Sequence, residues 1–154
     1  WPEMKPFKFS LKTVLEVRSN EEQISSDVYA RARGELEAVQ LHWRALDEAV
    51  DANLSACRSA FDGQAQSGDL AQLQGSLRSL RAQLAELEPE LLRLQGVMDE
   101  KWQLLLEARQ RREALEKMRD NKQTLHQYEA RRTEQNAIDE MVLLREANGL
   151  ATKF

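Results

Sequence analysis

Leu70, Leu73, Leu77, Leu80, Leu84, Leu87, Leu91, Leu94 and Met98 follow one another in alternating steps of three and four. A mean period of 3.5 residues holds one apolar stripe against a partner helix, so this stretch reads as one arm of a coiled coil. Leu36, Val39, Trp43, Leu46 and Val50 obey the same rule earlier in the chain, and Leu54, Cys57 and Phe61 continue it after a one-residue slip. Between the arms lies Asp62-Gly63-Gln64-Ala65-Gln66-Ser67-Gly68-Asp69, two glycines among small polar residues, which reads as a turn with Asp69 placed to cap the following helix. The expected fold is all-α, a long antiparallel two-helix coiled-coil hairpin.

An antiparallel pair about that turn requires facing residue numbers to have a constant sum. Leu36 with Leu94, Val39 with Leu91, Trp43 with Leu87, Leu46 with Leu84 and Val50 with Leu80 all satisfy it. The second seam slips between Met98 and Trp102, facing four-residue steps at Val28, Ala32 and Leu36, which predicts local relaxation of the supercoil. Trp43 and Trp102 are assigned to the core. Pro89 lies off the seam, and the heptad phase runs through it, so it predicts a kink in a continuing helix. The expected boundaries are helix 10–61, turn 62–69, helix 70–148 with a stop at Asn148-Gly149, and a short tail 149–154. One hairpin spans residues 4–154, and residues 1–3, ahead of Met4, read as an expression remnant. Running the register outward exhausts the first helix near Leu11, so the C-terminal helix should overhang the N-terminus.

Composition agrees with a narrow core: 31% of residues are charged and only 6% aromatic. No apolar run approaches the length of a membrane span, and the single cysteine, Cys57, excludes an internal disulfide and suggests a reducing, cytoplasmic compartment. The net charge of −4 is unevenly spread. Residues 1–34, 35–100, 101–132 and 133–154 carry +1, −7, +4 and −2. The turn end of the hairpin is therefore acidic.

Little in the sequence points to chemistry. No Gly-rich phosphate loop is present, His42 and His126 have no partners at metal-ligand spacing, and Cys57 falls on the seam as a small apolar residue. Glu86, Glu88 and Glu90 project to different helix faces. The expectation is a non-enzymatic protein with no cofactor, no metal and no catalytic residue. Arg109, Arg111, Arg112, Lys117, Arg119 and Lys122 form a basic stretch, but interleaved Glu107, Glu113, Glu116 and Asp120 allow pairing along the helix, so protein partners are favoured over nucleic acid.

The two ends carry a resemblance. Phe7-Lys8-Phe9-Ser10-Leu11-Lys12-Thr13-Val14-Leu15-Glu16-Val17-Arg18 looks like the opening signature of the FliJ family of flagellar type III export stalk proteins, and Gln135-Asn136-Ala137-Ile138-Asp139-Glu140-Met141 is similar to its closing helix. The resemblance implies a coiled-coil axle in the pore of the hexameric export ATPase FliI, promoting its assembly, contacting the export gate FlhA and meeting export chaperones. It further implies a cytoplasmic protein held peripherally at the inner membrane by the export apparatus. Arg18, Gln135, Asp139 and Glu140 are the expected ATPase contacts, and Asp47, Asp51, Arg78 and Arg81 the expected gate contacts. The same side chains are also compatible with ordinary helix-surface ion pairs. The alternatives are the equivalent stalk of a virulence injectisome, a nucleic-acid-binding coiled-coil arm of an enzyme such as a tRNA synthetase, and a purely structural dimer. Weak self-association through exposed apolar edges is also expected.

Overall fold

The computed structural model describes residues 5–63 and 66–151, with side chains through residue 149. Two α-helices, α1 (Lys12–Asp62) and α2 (Ser67–Ala151), account for nearly all of them, and no strand occurs among the described residues. The architecture is the expected helical hairpin. It divides into a central unit, Glu22–Ala108, and a terminal unit formed by Trp1–Glu21 with Arg109–Phe154.

The arms end on simple backbone chemistry. The Gly63 amide donates to the Ser59 carbonyl at 2.9 Å and closes the last turn of α1. A Cβ at Gly63 would lie 3.2 Å from that oxygen, which favours a residue without one. α2 starts at Ser67 and not at the expected 70, so Asp69 does not cap the helix but lies within its first turn, where its carboxylate complements the helix dipole, while the Gln66 carbonyl accepts from the amides of Asp69 and Leu70. Gln64 and Ala65, within the expected turn, lie outside the described residues. The helix does not stop at Asn148-Gly149, but runs on to Ala151.

Burial corrects the expected seam. Leu11, Leu15, Arg18, Glu22, Ser25, Tyr29, Ala32 and Leu36 are the inward positions of the first part of α1, in unbroken steps of four and three. Val39, Trp43, Leu46, Val50, Asn53, Cys57 and Ala60 continue that phase. The slip after Val50 is therefore absent: Asn53 holds the seam position, and the Cys57 thiol donates to its Oδ1 at 3.6 Å. Phe61, expected on the seam, is 75% exposed, because Ala60 takes the inward place. In α2 the inward set passes from Met98 to Lys101, Leu105, Ala108, Arg112, Leu115 and Arg119, again without a slip. Trp102 and Val28 lie beside the seam and stay partly exposed, and the heptad phase gives no cause for the expected relaxation of the supercoil. The aliphatic stems of lysine and arginine do the packing at positions that a search for apolar residues skips.

Within the central unit Tyr29 meets Trp102 with ring centroids 5.1 Å apart and planes tilted by 49°, confirming the antiparallel register. Leu36 and Leu94, facing one another in that register, are each only 4% exposed. Pro89 lies inside α2 without breaking it. Both Pro89 and Ala85, whose carbonyl loses its helical donor, are on the solvent side, where water replaces the missing bond.

Candidate docking surface

The terminal unit begins with a strap, residues 5–11, in which Phe7, Phe9 and Leu11 alternate inward while Lys8 and Ser10 face solvent. Period-two alternation with Pro6 ahead of it is the signature of extended chain. The Phe7 ring lies against His126 of α2, with centroids 5.6 Å apart and planes tilted by 57°. The Lys12 amide donates to the Phe9 carbonyl and turns the strap into α1. Phe7, Phe9, Lys12, Leu15, Arg119 and Gln123 are among the residues lining a groove of about 450 Å³. The strap is the physical meaning of the Phe-Lys-Phe motif.

Beyond His126 α2 leaves the strap and projects alone. Every described residue from 131 to 149 is exposed except the small Ala137. This overhang carries Ile138, Met141, Val142, Leu143 and Leu144 on its surface, the last two more than 60% exposed. Four consecutive apolar residues cover all sides of one helical turn, a pattern that ordinary solvated helices avoid and that makes this turn a candidate docking surface. Glu140, Leu143, Leu144 and Ala147 line a shallow groove of about 460 Å³ there.

The proposed contact residues fall into three groups. Gln135 and Asp139 are brought together, with Nε2 donating to Oδ1 at 2.9 Å one turn apart on the exposed overhang, and Glu140 borders the adjacent groove. Arg18 stands apart from them chemically. It occupies an inward heptad position, and its Nη1 donates to Glu21 Oε2 at 2.8 Å. Asp47, Asp51, Arg78 and Arg81 are all exposed side chains of the central unit. Sequence reasoning passed over Val142, Leu143 and Leu144, although the unbroken apolar run is itself the signal.

Electrostatics in the central unit are those of a solvated helix surface. Glu90 accepts two hydrogen bonds from Arg93, at 3.0 and 2.7 Å, and these hold its carboxyl below the ordinary carboxylate range. The same bonds, with the Glu90 charge, raise the Arg93 guanidinium. Arg33 is raised in the same way by Glu37. Among the described residues no group of three or more His, Cys, Asp or Glu side chains is arranged to hold a metal ion, and no helix is long and apolar enough to cross a membrane.

Residues 7–150 match the profile of the family described as Flagellar FliJ protein, a span that takes in the strap, both helices and nearly all of the overhang. The chain belongs to the FliJ family. No curated protein matches it. A solved structure described as a YscO homolog, CT670 from Chlamydia trachomatis, resembles it with a TM-score of 0.51 over 90% of this chain and 94% of that one, at 18% identity. That likeness concerns the fold. FliJ membership makes the chain a component of flagellar type III protein export, in the stalk class of that apparatus.

Proposed function

We propose that this FliJ-family chain is a non-enzymatic stalk that seats its terminal segments in the hexameric export ATPase FliI and promotes assembly of the ring. The exposed apolar turn Met141–Leu144 supports this reading most, because it needs a socket that surrounds it on every side. Gln135, Asp139 and Glu140, on the same overhang, supply polar groups to orient it within that socket. Arg18 is retained as an ATPase contact, with its guanidinium edge shared between Glu21 and the partner. Asp47, Asp51, Arg78 and Arg81 are proposed to face the export gate FlhA, and export chaperones dock on the same hairpin. The protein works in the cytoplasm, at the inner membrane through these partners.

The test is the ATPase activity and oligomeric state of the cognate FliI with and without this protein. Stimulation and ring formation are expected, weakened by the charge reversal Asp139→Lys/Glu140→Lys. An unchanged ATPase in the presence of the wild-type chain overturns the reading.

A further inference from the structure

Every fully buried residue among those described belongs to the central unit, so the terminal unit has no core of its own to explain where its apolar side chains lie. Ahead of residue 131 its large exposed apolar residues are Val14, Val17, Met118, Leu125 and Tyr128, between 40% and 64% exposed. Each immediately precedes a seam position of the heptad count, at Leu15, Arg18, Arg119, His126 and Glu129. In an antiparallel pair the residues that precede seam positions on the two helices share one flank, and those that follow them share the other. Glu35 and Arg93, which precede Leu36 and Leu94, show the rule in the central unit, where the Glu35 charge helps to raise the Arg93 guanidinium on the other helix. The five residues therefore make one apolar flank of the terminal unit, joined by the small Ala114 ahead of Leu115. From Ala114 to Tyr128 it runs about 21 Å along α2.

Charge divides in the same way over residues 12–21 and 109–132. The apolar flank and its outer edge carry Arg111, Lys117, Arg131 and Arg132 against one carboxylate, Glu21, which accepts from Arg18 at 2.8 Å. The opposite flank carries Glu16, Glu113, Glu116 and Asp120 against Lys12 and Arg109. The strap lies on that acidic side, where Lys12, Glu16 and Gln123 line its groove with Phe7 and Phe9, and it leaves the apolar flank uncovered. We propose that this flank receives an acidic amphipathic helix of a partner protein, laid between α1 and α2 at Val14, Val17 and Met118 and continuing along α2 past Leu125. Apolar residues three and four apart on such a helix fill the groove, and carboxylates along its edge meet Lys117, Arg131 and Arg132. A second copy of the chain fits worse, because it sets the same cations against each other. Short side chains at Val14, Val17 and Ala114 deepen the groove that any helix pair has between its cylinders, which suits a third helix better than the flat surface of a lipid bilayer. The proposal concerns the stretch ahead of the apolar turn Met141–Leu144 and stands or falls without the ATPase.

Two synthetic three-heptad helices test it on the full-length protein by fluorescence anisotropy. Each carries leucine along one stripe, one with glutamate at the remaining positions and the other with lysine. The acidic peptide is expected to bind on the order of tenfold tighter than the basic one. Val17→Asp/Met118→Asp should weaken it about tenfold or more, while Leu92→Asp, at an exposed leucine of the central unit, should leave it unchanged. Lys117→Glu/Arg131→Glu/Arg132→Glu keeps the apolar flank and should reverse the preference, so the test does not rest on the folding of the aspartate variant. Equal binding of the two peptides, no binding of either, or binding that neither variant moves overturns the proposal. So does a flank that closes on itself or on lipid: a wild-type dimer in sedimentation equilibrium that Val17→Asp/Met118→Asp dissolves, or co-sedimentation with phosphatidylglycerol vesicles that the same variant abolishes.

Discussion

The central and terminal units are made from the same two helices in the same heptad phase, yet only one of them has a core. In the central unit the inward positions are filled by Leu36, Leu46, Val50 and Leu94, with Tyr29 and Trp102 in tilted contact beside them. In the terminal unit arginines take seam positions, an extended strap replaces helix, and large apolar side chains turn outward on the overhang. The difference separates two uses of an apolar residue. In one unit it closes the molecule on itself, and in the other it is left available to a partner.

The sharpest way to break the comparison is to empty the central seam. Leu94→Ala removes a side chain that is 4% exposed and should cost about 2–4 kcal/mol of stability, whereas Leu15→Ala, at a half-buried position, should cost about 1 kcal/mol. Thermal and urea denaturation followed by far-ultraviolet circular dichroism measures both. Equal costs would remove the distinction between the units. Next in size is Trp102→Ala, which loses the contact with Tyr29 and should cost about 1–2 kcal/mol, with Tyr29→Ala adding less than its own full effect in the double variant.

A smaller effect is expected for Phe61→Ser. The ring is 75% exposed, so stability should change by less than about 0.5 kcal/mol, whereas a true seam residue would cost several times more. The smallest effect concerns Glu90. Its folded-state carboxyl is depressed by the hydrogen bonds from Arg93, so whatever stability it contributes is present above the ordinary carboxylate range and is lost as pH falls through the lower folded value. Glu90→Gln should flatten that part of the acid-unfolding profile slightly. Because the pair is exposed, no shift of the unfolding midpoint at neutral pH is expected.

Much of the hairpin is legible in the sequence because leucine spacing, turn composition and a constant register sum are independent signals that agree. The seam became illegible where it is polar. Asn53, Lys101 and Arg112 hold inward positions that hydrophobicity cannot reveal, and reading the nearest bulky apolar residue in their stead produced the slips assigned at Leu54 and Trp102. Phe61 failed for the same reason: Ala60 is a weak apolar signal beside a large ring. At the candidate docking surface the polar residues Gln135, Asp139 and Glu140 could be named from their resemblance to a family motif. Val142, Leu143 and Leu144 form an unbroken apolar run on the stretch that the register leaves without a partner helix, a signal that a search for steps of three and four passes over.

The central claim is that the apolar turn of the overhang is the surface the ATPase encloses. Site-specific photo-crosslinking addresses it directly, with a photoreactive side chain placed at Leu143 in one protein and at Leu92, also strongly exposed but in the central unit, in another. Mixed with cognate FliI, the Leu143 probe should capture the ATPase, and the Leu92 probe should not. Capture from Leu92 alone, or equal capture from both, would contradict the account.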